Sequence, residues 1–289
     1  MTKIGFVGLG AMGAPMARNL LSAGHELFFF ARRPPIVEEF RQAGAKPCIN
    51  CAEVAATADL VITIVTADRE VEEVLTADDG VVAGGAPGKL VIDMSTISPV
   101  TVRRLSHELE AVGMSMLDAP VSGGPSGAQK GTLSIMVGGS EDDFRRAQPV
   151  LEVLGEKIFH LGPNGAGQTV KLVNQMIAGG TMALVAEAMS VGKAAGLDLH
   201  QMIEAVSTSS GNSTIFASRA RFVADGFYEP GFKAELMRKD IALGLDLASE
   251  FQTPAPVTAA ALQQYTTAVQ QGLGQLDFAA VAKLLEEDA

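Results

Sequence analysis

The sequence predicts an α/β chain in two parts. A doubly wound parallel-sheet domain spans residues 1–162, and an all-α domain built on one long interdomain helix spans residues 163–289. Three observations predict it. Short apolar runs alternate with helical patterns through the first part, the βαβ rhythm of a sheet wound by helices. Those runs lack polar alternation, as strands buried on both faces do. After Gly162-Pro163-Asn164-Gly165 the strand-like runs cease and Ala-, Met- and Leu-rich helical patterns take over.

The elements follow in order. Strands are expected at 4–7, 27–30, 60–65, 90–93, 114–117, 133–137 and 157–161. Between the first two, Met12, Met16, Leu20 and Leu21 share one helix face. Pro15 is tolerated in that helix's first turn and Gly24 stops it. Further helices are expected at 100–112 and 141–154. Residues 168–195 are free of proline and read as one helix of roughly 28 residues, about 40 Å long. More helices are expected at 199–207 after the N-cap Asp198, at 216–224, 239–250 and 257–271, and at 278–287 after the N-cap Asp277. A largely apolar helix as long as 168–195 must be covered all round, so burial against a partner subunit is expected.

Composition excludes several classes. The chain carries 22 Lys and Arg against 33 Asp and Glu, a net charge of −11, which opposes binding to nucleic acid or an anionic membrane. It has no Trp and two Tyr, a poor basis for base stacking. No uninterrupted apolar run of about 18 residues suggests a membrane span. The apolar segment 4–9 is too short for a signal sequence. Cys48 and Cys51 form a C-x-x-C pair, but no His, Trp or basic neighbour in sequence lowers a thiol pKa, so reduced structural thiols are expected. The histidines, His25, His107, His160 and His200, lack metal-ligand spacing, so no metal is expected. A reducing cytoplasm is the expected setting.

The chemistry gathers around glycines. Gly8-Leu9-Gly10-Ala11-Met12-Gly13 is a G-x-G-x-x-G turn between the first strand and first helix, the signature of a Rossmann-type dinucleotide-binding domain. Gly8 permits the tight turn, Gly10 lets backbone approach a pyrophosphate, and Gly13 permits close helix–strand packing. The second strand then ends in Ala31-Arg32-Arg33-Pro34, where an NAD site usually carries an acid. Arg32 and Arg33 favour NADP(H) over NAD(H), because guanidinium groups hold a 2′-phosphate by forked hydrogen bonds. Stacking of Arg32 on the adenine is the alternative and suits either cofactor. Val65-Thr66 and Ser95-Thr96 end later strands, where ligands lie in open α/β sheets, so they are expected to border the cofactor.

A second group is suited to a small carboxylate substrate. In Asp118-Ala119-Pro120-Val121-Ser122-Gly123-Gly124, the Ser122 hydroxyl and the N–H groups of Gly123 and Gly124 can face an anion. Lys171 falls in the first turns of the long helix, where the positive end of the helix lowers a lysine pKa toward the range of acid–base work. Asn174 lies three residues on, on the same face, placed to orient Lys171 or a substrate oxygen.

These motifs resemble the β-hydroxyacid dehydrogenase family, which includes 3-hydroxyisobutyrate dehydrogenases, tartronate semialdehyde reductases and glyoxylate/succinic semialdehyde reductases. Four segments carry the likeness in the family's order: 6–16, 118–124, 167–175 and Lys239-Asp240. The resemblance implies that Lys171 is the catalytic lysine with Asn174 assisting. It implies that Ser122, Gly123 and Gly124, with Gln175 and Asp240, form the substrate site, and that Lys239 lies near the nicotinamide. It also implies that the long helix builds a homo-oligomer, dimer or tetramer. Asn174-Gln175 and the segments 131–139 and 272–277 are similar to the tartronate semialdehyde reductases, which implies reduction of a small 3-oxo acid. Phe278 and Met237-Arg238 depart from that subgroup's pattern. A noncatalytic dinucleotide-binding protein is the reading from another class, and retention of Lys171 and Asn174 disfavours it.

Overall fold

A computed structural model describes residues 1–285. It divides into two compact units, Met1–Lys171 and the chain from Leu172 onward.

The first unit holds a six-stranded parallel sheet. Its strands are β1 (Lys3–Val7), β2 (Glu26–Phe30), β3 (Lys46–Pro47), β4 (Leu60–Thr63), β5 (Leu90–Asp93) and β6 (Ser115–Asp118), in the order β3-β2-β1-β4-β5-β6. Successive residues of the central strands enter opposite cores. Ile4, Phe6, Ile62 and Ile92 join one apolar cluster, and Val61, Val91 and Met116 join another. Burial on both faces is why these strands read as unbroken apolar runs. The order reverses between β1 and β4, so the crevice for a ligand opens at their carboxyl ends.

Two expected strands leave that sheet. β8 (Leu133–Val137) and β9 (Gly155–His160) pair in parallel with each other, and β7 (Val121–Ser122) pairs antiparallel with β8. β3 and β7 have two residues each, too few to show a period.

The second unit is helical among its described residues. The long helix runs Ala166–Ala194 and is followed by Leu199–Ser207, Thr214–Asp225, Ala234–Glu250 and Pro256–Gln270. Met182, Met189, Ile203, Phe216, Met237, Ile241 and the fully buried Tyr265 build its core. The helix expected from 239 begins five residues earlier, because Ala234 and Glu235 donate backbone hydrogen bonds to Leu276 and Gly274 rather than within a helical turn. The expected helix 278–287 is a 3₁₀ helix over Phe278–Leu285, and positions 286 and 287 lie outside the described residues.

The compact units divide at Lys171/Leu172, inside the long helix. Hydrogen bonds from its first turn and from the two residues before it tie the start of the helix to the first unit. Asn164 donates to the Met116 carbonyl, and Gly165 and Gln168 donate to the Asp118 carboxylate.

Candidate functional site

The glycine turn is shaped by contact as well as by φ. Gly8 has φ +105°, and a Cβ there would lie 2.0 Å from the Ile64 carbonyl oxygen. A Cβ on Gly13 would lie 2.0 Å from the Gly8 carbonyl oxygen. At Gly10 the result is opposite: no atom lies within 4 Å of its would-be Cβ. The turn is therefore packed on its inner side and open at Gly10, the arrangement a pyrophosphate requires.

The arginine pair divides. Arg33 Nη2 donates to the Leu9 carbonyl at 3.1 Å and so braces the glycine turn. Arg32 is exposed and makes no hydrogen bond or ion pair among the described residues, which leaves its guanidinium available to an anion.

A polar layer lines the carboxyl ends of the sheet. Thr63, Asp93 and Asp118 pair in register across β4, β5 and β6, and all three are fully buried. Asp93 Oδ1 accepts from Thr63 Oγ1 and from Ser95 Oγ, each at 2.7 Å. Ser95 Oγ in turn accepts from Val65 N–H at 2.9 Å, so Val65 and Ser95 share one network. Burial pushes the Asp93 carboxyl up to about 6, against the opposing pull of the Ser95 and Thr63 hydrogen bonds. Asp118 accepts Gly165 N–H at 2.8 Å and Gln168 N–H at 2.9 Å, and burial likewise raises its carboxyl to about 6. Thr96 is half-buried and Thr66 exposed beside these groups.

The Ser122 loop lies in the same unit. Ser122 pairs with Ser134 in the small sheet and is half-buried. Gly123 has φ +133° and Gly124 φ +62°, backbone conformations that side chains disfavour. Lys171 is 7% exposed, in the second turn of the long helix.

In the second unit four expected residues form one chain of contacts. Asn174 Nδ2 donates to Gln175 Oε1 at 2.9 Å, and Gln175 Nε2 donates to Asp240 Oδ2 at 2.7 Å. Lys239 Nζ pairs with Asp240 Oδ1 at 2.9 Å. Asn174 thus spends a donor on its neighbour Gln175, and Asp240, 2% exposed, organises both an amide and a cation.

Sequence reasoning assigned no role to Gln168. Its side chain is fully buried, its Nε2 donates to the Ser95 carbonyl at 2.8 Å, and its Oε1 accepts from Ile97 N–H at 3.2 Å. Arg238 was noted only as a departure. It is half-buried, with its Nε shielded from solvent and without a partner among the described residues.

Within the C-x-x-C pair, Cys51 begins the helix Cys51–Thr57, capped by Asn50. Burial nevertheless raises the Cys48 thiol, and burial together with Asp79 raises Cys51 to about 11, the reverse of a reactive thiolate. Among the described residues no three His, Cys, Asp or Glu gather as metal ligands, and no helix is long and apolar enough to cross a membrane.

Comparison with known proteins bears on the fold and the family. A family model for the NAD binding domain of 6-phosphogluconate dehydrogenase matches residues 3–162. One for the NAD-binding domain of NADP-dependent 3-hydroxyisobutyrate dehydrogenase matches residues 165–285. The chain is 40% identical to 2-(hydroxymethyl)glutarate dehydrogenase of Eubacterium barkeri, over 99% of this chain and 95% of that one. It is 38% identical to 2-hydroxy-3-oxopropionate reductase of Escherichia coli, over 98% of this chain and 97% of that one. Among solved structures, a Mycobacterium tuberculosis 3-hydroxyisobutyrate dehydrogenase with L-serine superposes with a TM-score of 0.91 at 35% identity, covering 99% of this chain and 100% of that one.

Proposed function

Because the chain belongs to the β-hydroxyacid dehydrogenase family, we propose that it reduces a small 3-oxo acid with NADPH, most readily tartronate semialdehyde to glycerate. The chain is an NAD(P)-binding oxidoreductase acting on the CH–OH group of hydroxyacids. The observation that carries the mechanism is a buried lysine, Lys171, on the helix turn that follows the Asp118 cap.

A nicotinamide cofactor held at the Gly8–Gly13 turn would supply the hydride for reduction and take it up in oxidation. Lys171 donates its proton to the oxygen that becomes alkoxide, and neutral Lys171 removes the hydroxyl proton in the reverse direction. The Ser122 hydroxyl and the N–H groups of Gly123 and Gly124 hold the substrate carboxylate. Asp240 keeps Lys239 and Gln175 in fixed orientations. Gly10 and its neighbours receive the pyrophosphate, and Val65, Thr66, Ser95 and Thr96 border the cofactor.

Arg32 supports the NADPH preference, being exposed just beyond β2 with no hydrogen bond or ion pair among the described residues. Asn174-Gln175 supports the tartronate semialdehyde assignment. A dicarboxylic hydroxyacid is the second reading, and Arg238 favours it, a half-buried guanidinium beside Lys239 in sequence with its Nε unsatisfied. Oxidation of 3-hydroxyisobutyrate and reduction of glyoxylate or succinic semialdehyde complete the set to be tested. A homo-oligomer is proposed from the long helix. Ile177, Leu184 and Val191 recur every seven residues on one face and are 64–69% exposed in the single chain.

A panel of semialdehydes and hydroxyacids, run with both cofactors, tests the assignment by kcat/KM. Failure of every C3–C4 semialdehyde overturns it. In the same assays Arg32→Ala weakens NADPH about 10- to 100-fold with little effect on NADH, as loss of a charge-assisted phosphate contact requires. Arg33→Ala weakens both cofactors alike, because Arg33 braces the turn at Leu9.

A further inference from the structure

Gln168 joins two segments that the proposed mechanism treats separately. Its backbone N–H is held by Asp118 Oδ2, whose other oxygen holds Gly165 N–H. Its side-chain amide brackets Thr96, donating to the carbonyl before it at Ser95 and accepting from the N–H after it at Ile97. Both ends of a fully buried amide are thereby paired, which fixes its rotamer and its orientation. Ser95 is tied onward to Val65 and Asp93. Lys171 follows Gln168 by three residues, one turn along the same helix face.

We propose that Gln168 is a positioning residue, which registers the helical turn bearing Lys171 against the Ser95–Ile97 segment. The inference rests on the reading above, that Lys171 is the acid–base group and that Ser95 and Thr96 border the cofactor. Its physical basis is the steep dependence of proton and hydride transfer on placement, where about 1 Å costs on the order of 100-fold in rate. Asp118 fixes the start of the helix, and Gln168 fixes the loop to that start. A glutamine here is chemically specific: the site needs one donor and one acceptor on a single planar group.

Two variants of the full-length enzyme test this. Gln168→Met keeps the side chain's length and removes both hydrogen bonds. It is expected to lower kcat about 10- to 100-fold while KM, and the NADPH dissociation constant from fluorescence titration, stay within about threefold. Hydrogen exchange in the protein without substrate is expected to quicken at Ile97 N–H. Gln168→Glu keeps the acceptor for Ile97 but places an oxygen against the Ser95 carbonyl until the introduced carboxyl is protonated. Its kcat relative to the parent enzyme is therefore expected to recover as pH falls, a rescue that a purely structural role would not produce. Parent-like kcat in folded Gln168→Met, or a Gln168→Glu deficit independent of pH, overturns the proposal. Lys171→Met separates the two readings. If it remains active, the acid–base assignment fails and the inference with it. If it is inactive while Gln168→Met is unimpaired, only the inference fails.

Discussion

Two buried aspartates, Asp118 in the first unit and Asp240 in the second, hold the same kind of group by opposite means. Asp118 is fully buried and receives two backbone N–H groups, so neutral donors offset its desolvation and its carboxyl still rises to about 6. Asp240 is 2% exposed and receives a cation and an amide, Lys239 and Gln175. The first arrangement fixes backbone: it sets where the long helix begins. The second fixes side chains, and so the directions in which an ammonium and an amide point. Asp93 follows Asp118, with two hydroxyl donors beside a longer hydrogen bond from Ser95 N–H.

The largest effect separates what the first frame holds from the frame itself. Lys171→Met is expected to lower kcat about 10²- to 10⁴-fold, the usual worth of a general acid or base, without loss of thermal stability. Steady-state rates alongside a melting curve check this, and a parallel fall in both would make Lys171 part of the scaffold.

The two aspartates differ next. Asp118→Ala leaves two donors without an acceptor and is expected to cost about 1–3 kcal/mol for each that stays buried. Asp240→Ala is expected to cost less, about 1–2 kcal/mol, because the Lys239 side chain keeps 19% exposure and water can take over its charge. Urea midpoints measure both, and equal losses would break the distinction drawn here.

The remaining effect is a pH dependence carried by Asp93 in the first unit. The folded Asp93 carboxyl lies near 6 against 3.8 unperturbed, so the folded state binds the proton more tightly than the unfolded chain. That contribution to stability is fully present below about pH 4 and is lost as pH rises through 6. Asp93→Asn removes it. The variant's urea midpoint is therefore expected to gain on the parent's between those pH values, and a constant difference would refute the assignment.

What the sequence showed and hid follows contact distance along the chain. Gly8, Gly10 and Gly13 were legible because turn, strand and helix all lie within the first 22 residues. Asp198 was legible as a cap because its partners, His200 and Gln201, are two and three residues away. Spacing placed Lys171 and Asn174 on one helix, whereas the roles expected of them rest on the family resemblance. Gln168 was not, since its partners Ser95 and Ile97 lie 73 and 71 residues away, and a helical glutamine carries no local sign of being buried. Arg33 donates to the carbonyl of Leu9, 24 residues upstream, a contact that its place in the sequence does not announce. The C-x-x-C motif showed spacing alone, whereas burial decided the thiols' character.

The sequence by itself determined the two-part α/β and all-α architecture, the glycine turn and the chemistry-bearing motifs, because period, φ and capping are settled within a few residues. Only the tertiary structure decided which buried polar groups meet: Asp118 with the long helix's first turn, Gln168 with the Ser95–Ile97 segment, Asp240 with Lys239 and Gln175. A buried donor or acceptor is costly until its partner arrives, and those partners come from distant parts of the chain.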